Sequence, residues 1–229
     1  MDNLLTKLID RLFPPFCLAC GAWGSEVCDG CLLEVAVLGE AYCVVCGFPS
    51  SNGVTHAQCY TPSSPEKCLS VFRFSGLPRQ IILSAKYAGA YFTDLQTFVR
   101  KVLAFDLIDL PDLDGVLVIP VPLYSSRLHE RGFNQSALIA KILGEKLGGE
   151  FNAHSLLKVK DTKAQATLQK EARIMNLAGV FKCATALQGR DVLLVDDVCT
   201  TGATFMACTE ALKLAGARYV YCFSLAKTL

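Results

Sequence analysis

No stretch of this chain approaches the ~18 uncharged apolar residues that a membrane-spanning helix needs. An excess of one charge is also lacking: 22 basic side chains stand against 21 acidic ones, a net +1. Bulk charge therefore points neither toward nucleic acid nor away from it. The opening MDNLLTKLIDRLFPPF is no secretory signal, because Asp10 and Arg11 interrupt it and no small-residue cleavage site follows. Internal repeats and low-complexity tracts are absent. So are Gly-x-x-x-x-Gly-Lys-Ser/Thr and Gly-x-Gly-x-x-Gly, which excludes a Walker loop and a dinucleotide fingerprint. Charged residues make up only 19% against 52% apolar, so the 229 residues have a large core to bury and disorder is excluded. The expected location is the cytoplasm.

What the chain does have is cysteine: twelve residues, eight of them within the first 68. In a reducing compartment such a cluster points to metal rather than to disulfides. The remaining four, Cys183, Cys199, Cys208 and Cys222, sit among apolar neighbours and read as core residues. Charge divides at the same place. Residues 1–68 carry 3 basic and 7 acidic side chains, and residues 69–229 carry 19 and 14, so an acidic head of net −4 precedes a basic body of net +5. The segment TPSSPEK marks the boundary, giving a head over 1–67 and a body over 68–229.

In the head, Cys17-x-x-Cys20 and Cys28-x-x-Cys31 form two knuckles that can close a tetrahedral shell of four thiolates. Cys43-x-x-Cys46 is a third knuckle. His56-x-x-Cys59 keeps the spacing and is its preferred partner, with Cys68 the competing fourth ligand. Zinc suits both donor sets, one or two ions in all, with an iron–sulfur cluster the minor alternative and ligand exchange between the two sets left open by the spacing. Closed four-ligand sites are structural, and a head of ~60 residues needs such staples because its own core is small. Ahead of the knuckles, Leu4, Leu5, Leu8, Ile9 and Leu12 recur at helical spacing, which predicts a short amphipathic helix.

In the body, short β-branched runs alternate with amphipathic stretches. This predicts an α/β domain built on a mostly parallel sheet flanked by helices. SVFRF, GVLVIPVP, AGVFKC, RDVLLVDDV and RYVYCFSLA read as strands. LPRQIILSAKY, YFTDLQTFVRKVLAF, NQSALIAKILGEKL and ATFMACTEALKLAG read as helices. In such sheets ligands bind at the carboxyl ends of strands.

Two strand ends are chemically loaded. Val192–Val195 is a buried run from which Asp196 and Asp197 emerge, followed by Thr200, Thr201, Gly202, Ala203 and Thr204 leading into a helix. Backbone amides of such a loop, with the helix N-terminus, make a phosphate nest, and Gly202 lets the backbone approach the oxygens. Adjacent carboxylates suit the two hydroxyls of a ribose. A diol clamp beside a phosphate nest describes a ribose 5-phosphate. The second end is PVPL, followed in a turn by Arg127 and by Arg131-Gly-Phe-Asn-Gln, where the arginines are placed to receive an anion. The polar, basic segment from Lys158 through Lys160 and Lys163 could form a lid.

The acid pair and its loop resemble the PRPP motif of type I phosphoribosyltransferases. That resemblance gives Asp196 and Asp197 the ribose hydroxyls and gives Thr200 to Thr204 the 5-phosphate. PVPL with RGFNQ, Thr162-x-x-Gln165-x-x-Leu168, Arg173-x-x-Asn176, Gly179-x-Phe181 and Lys86-Tyr87, together with the knuckles, resemble the ComF family over nearly the whole chain. That family joins a zinc-ribbon head to a phosphoribosyltransferase-like body. Related heads more usually carry a cysteine where His56 stands. The resemblance implies a role in competence and in handling transforming single-stranded DNA, with PRPP and Mg²⁺ as ligands. It also suggests a competence helicase or another DNA-uptake protein as partner. Arg127, Arg131, Lys160 and Lys163 are then candidates for the pyrophosphate, and Tyr87, Tyr91 or Phe133 for stacking on bases. The alternative is a phosphoribosyltransferase of nucleotide metabolism acting on a base or amine.

Overall fold

The computed structural model describes residues 15–35, 37–87, 92–104, 113, 115–162 and 177–229, with the side chains of 87 and 92 excepted. The N-terminal stripe Leu4 to Leu12, Tyr91, Lys163, Gln165, Leu168, Arg173 and Asn176 lie outside the described residues, as does the side chain of Tyr87.

The body is a five-stranded parallel sheet in the order β1-β7-β6-β2-β3. The strands are β1 (Lys67–Arg73), β2 (Leu117–Pro120), β3 (Glu150–Phe151), β6 (Val192–Cys199) and β7 (Val220–Lys227). Central strands β2 and β6 begin as unbroken buried runs, as a sheet covered on both faces requires. One face packs against helices α2 (Gly76–Tyr87), α3 (Phe92–Ala104) and α5 (Gln135–Leu147). There Ile81, Phe98, Ile139 and Leu143 meet Val118, Val195 and Phe223. On the other face α6 (Ala203–Leu214) sets Phe205, Cys208 and Leu212 against Ile119, Leu194 and Cys222. Cys199, Cys208 and Cys222 are buried as expected, whereas Cys183 is half-buried.

Three features differ from the sequence expectation. Phe181–Cys183 (β5) does not join the parallel sheet; it pairs antiparallel with β4 (Leu156–Lys158) beside α6. Arg127 and Arg131 lie not in a turn but on a helix, α4 (Ser125–Arg131), which ends at Gly132 in the left-handed conformation. None of that helix is buried, so it carries no apolar period to betray it. The third is β3, whose two residues are too short to leave a periodic signal.

The head lies along the free edge of β1. Short antiparallel bridges join Val54 to Lys67 and Val37 to Phe72, which covers an edge that would otherwise expose unpaired backbone. Its one α-helix among the described residues, α1 (Asp29–Leu33), sends Leu32 into the body's core beside Val27. Ion pairs Lys101–Asp29 and Lys213–Glu66 link the two parts.

Candidate functional site

Strand order fixes where a ligand can enter. From β2 the chain moves outward to β3 through α5 on one face; from β6 it moves the other way to β7 through α6 on the opposite face. The order therefore reverses between β2 and β6, and in such sheets the ligand crevice lies at the carboxyl ends of the two strands where it reverses. Asp196 and Asp197 stand at that end of β6, and the Thr200–Thr204 loop lies between β6 and α6.

Each carboxylate is held by one oxygen. Asp196 Oδ1 accepts the Ser136 hydroxyl at 2.8 Å and the Asp197 backbone N–H at 2.9 Å. Asp197 Oδ2 lies 2.7 Å from Lys86 Nζ. The second oxygen of each has no hydrogen-bond partner among the described residues. That arrangement suits acceptors of two adjacent hydroxyls. Burial first, and then the neighbouring Asp197 carboxylate, pushes Asp196 up to about 7; Ser136, the Asp197 N–H and Lys86 act against this. The carboxylate is thus poised to ionise when a cation or hydroxyl donors arrive.

The surrounding side chains are locked by the RGFNQ segment. Asn134 caps α5 by accepting the Ser136 N–H, and its amide donates to the Val121 carbonyl at 3.0 Å, which ties the helix to the end of β2. Buried Gln135 donates to the Ala85 carbonyl at 3.0 Å, beside Lys86 at the end of α2. This segment thus acts on the two acids through Ser136 and Lys86. Ser136 has a role that sequence reading did not assign; its position just inside a helix N-cap is a weak clue.

The cations are distributed unevenly. Half-buried Lys158 sits with its ammonium 5.9 Å from the Phe181 ring centroid. Burial first, then the nearby Arg127 guanidinium, holds it below its ordinary value, with Asp161, Cys208 and Asp196 acting in the other direction. Lys158 thereby joins Arg127 and Asp196 in one electrostatic neighbourhood, a place expected for Lys160 or Lys163. Lys160 is exposed, with its ammonium beside Gly179. Arg131 is half-buried at the end of α4. Phe133 packs partly against the core rather than standing clear for stacking.

In the loop, Gly202 adopts φ +80° and the Thr201 hydroxyl accepts the Ala203 N–H at 3.4 Å. The N-terminus of the 12-residue α6 begins there without a side-chain cap. Orphan amides and the positive end of the helix dipole therefore face the crevice end of β6.

In the head, the structure gathers two donor sets. Cys17, Cys20, Cys28 and Cys31 form one and Cys43, Cys46, His56 and Cys59 the other, the ligand atoms of each lying within 4.8 Å of one another. Cys68 is not part of the second set; it is buried in β1 with its thiol against Cys199. The two knuckles repeat one backbone design. Gly21 and Gly47 donate to the carbonyls of Cys17 and Cys43, both at 2.8 Å, and both glycines have positive φ. Burial alone would raise the Cys17 thiol, but the N–H groups of Cys28, Cys20 and Ala19 hold it at about 6. Crowding acts the other way on Cys59, pushed to about 11 by burial first and then by Cys46. The His56 ring fits a metal as well. Nε2 lies 3.1 Å from the Pro49 carbonyl, which can only accept, so a neutral ring donating there offers the Nδ1 lone pair to a metal, and Nδ1 faces Cys46 Sγ at 3.4 Å. Both sets have the donor chemistry of a closed zinc site.

Comparison with known proteins agrees with the head's geometry and extends the likeness over the body. Residues 8–60 match the model of the double zinc ribbon domain. The DNA utilization protein YhgH of Escherichia coli K12 is 26% identical over 220 residues, covering 93% of this chain and 94% of that protein. Competence protein F of Haemophilus influenzae is 27% identical over 89% of this chain and 91% of its own. Competence protein ComFC of Bacillus subtilis is 27% identical over 79% and 75%. No helix of the described residues is long and apolar enough to cross a membrane. With a double zinc ribbon set against a parallel α/β sheet, the chain is similar over most of its length to proteins named for competence and for DNA utilization.

Proposed function

We propose that this chain is a ComF-like protein of natural transformation that handles incoming single-stranded DNA and retains a PRPP or ribose 5-phosphate site at the β6–α6 turn. One observation carries the ribose-phosphate reading. Two carboxylates, each with an oxygen that no described residue bonds, stand at the switch point of the sheet beside a loop that opens a helix N-terminus. Asp196 and Asp197 would accept the ribose hydroxyls, and the amides of Thr200 to Thr204 the 5-phosphate. Lys86, Arg127, Arg131 and Lys158 supply positive charge for a pyrophosphate, with Lys160 and Lys163 on the adjoining segment. Mg²⁺ would arrive with PRPP, bound mainly by its phosphate oxygens. Zinc in the two head sites is structural. Two relatives are named as competence proteins and a third as a DNA utilization protein, which favours a DNA substrate and a DNA-uptake partner such as a helicase.

The cations around the acid pair also favour a second reading, a transferase of nucleotide metabolism. In it the ribose C1–O bond to pyrophosphate breaks as a base or amine nitrogen bonds to C1. The protein's contribution is to position the reactants and stabilise the departing charge. Fluorescence anisotropy of a labelled ~30-nucleotide single strand separates the readings. The first predicts binding at low salt that falls steeply between ~50 and ~200 mM. No binding at low salt, with pyrophosphate released from PRPP when a free base is supplied, would favour the second.

A further inference from the structure

The back of the Thr200–Thr204 loop rests on a zinc knuckle. A Cβ added at Gly202 would lie 2.5 Å from the Val44 carbonyl oxygen and 2.6 Å from Val44 Cγ2. Val44 follows Cys43 directly and precedes Cys46 by two residues, so it belongs to the turn that presents both thiolates of the second set. It is 4% exposed and packs in the same core as Cys199 and Cys68. With Tyr42, Ser70, Cys199 and Lys227 it walls a small cleft just behind the loop. Lys227 stands 5.5 Å from the Tyr42 ring centroid, a second tie between this part of the head and the body.

The same half of the head is pinned again at β1. A Cβ at Gly53, which has φ +73°, would lie 2.1 Å from the Cys68 carbonyl oxygen, and Val54 bridges to Lys67. The second metal set is thus clamped between β1 and the phosphate loop. The first set sits elsewhere: Cys31 and Ala19 border a cleft with Ser75, Gly76 and Pro78 at the start of α2.

We infer that Val44 and Gly202 are positioning residues that couple the second zinc site to the Thr200–Thr204 loop, so that metal occupancy sets the loop's conformation while the first site does not. This rests on reading the loop as the phosphate subsite of a PRPP site. The glycine at position 202 then serves the knuckle as well as the ligand. Its left-handed backbone could face an anion with many small residues nearby, but only the absence of a Cβ admits the Val44 carbonyl. Coupling between two sites is reciprocal. Disturbing the loop must weaken the metal, and losing the metal must loosen the loop.

Two measurements test this without PRPP. In Gly202→Ala, the zinc affinity of each site is read by chelator competition on the full chain. The second site should weaken by about tenfold or more, within the range usual for linked sites, while the first holds its wild-type affinity. Equal wild-type affinities at both sites would overturn the coupling. Hydrogen exchange covers the case in which that variant folds poorly. His56→Ala should lose protection across residues 199–206 and Cys20→Ser should keep it, with β2 protected in both; retained protection in His56→Ala would also overturn the proposal. PRPP titration of the wild type addresses the ligand separately, so a chain that couples but does not bind PRPP refutes the binding reading alone.

Discussion

Lys86 Nζ and Asp197 Oδ2 lie 2.7 Å apart with side chains only 19% and 10% exposed, joining the last turn of α2 to the tip of β6. The pair does two things. It orients a carboxylate at the crevice, and it prevents a nearly buried charge from standing alone. Removing one partner of such a pair is costly because the other stays desolvated. Lys86→Met should lower unfolding stability by about 3 kcal/mol. The double variant Lys86→Met/Asp197→Asn should recover most of that loss, as a cycle for coupled neighbours requires. Urea denaturation of these two variants and of the single Asp197→Asn checks this; additive losses would contradict it.

A buried acid at the seam between head and body makes stability depend on pH. Asp94, in the first turn of α3, has Oδ2 buried without a hydrogen-bond partner among the described residues. Burial first, and then Glu26 from the head, pushes its carboxyl up to about 6. In an unfolded chain aspartate titrates near ~3.9. Folding therefore favours the protonated form. The stability this gives is complete below ~pH 4 and is lost as pH rises through about 6. Asp94→Asn should exceed wild type by about 2 kcal/mol at ~pH 8, with the difference closing below ~pH 4. Thermal melts across that range decide it, and a pH-independent difference would contradict it.

The donor sets predict two zinc ions per chain, held without an open position. Cys28→Ser should bind one, with residues 15–35 becoming susceptible to proteolysis while the second set keeps its metal. The first ribbon has little core of its own, so metal binding and its folding are one event. Metal analysis after dialysis checks the count. Two ions retained in Cys28→Ser would contradict it.

Much of this arrangement was legible in sequence because its signals are local. Four apolar residues before Asp196 predict the central strand, and four close-spaced cysteine pairs or pair-like groups predict the ribbons. Spacing alone favours His56 over Cys68, and the structure gathers His56 with Cys43, Cys46 and Cys59. What sequence could not supply is non-local. Lys86 stands 111 positions before Asp197 and Ser136 stands 60 before Asp196, so neither pairing has a spacing to read. Helix α4 lacks an apolar face, and the three residues of β4 give no signal of the antiparallel pairing that takes β5 out of the main sheet. At Gly202 the phosphate reading is local, whereas the close approach of Val44 is brought about only by the fold.

Asp196, Asp197 and the Thr200–Thr204 loop should form a working ribose-phosphate site. Calorimetric titration of PRPP with Mg²⁺ into the full chain tests it most directly, with Asp196→Ala/Asp197→Ala as control. The wild type should bind saturably and the variant should not. Absence of binding by the wild type, or equal binding by both, would contradict it.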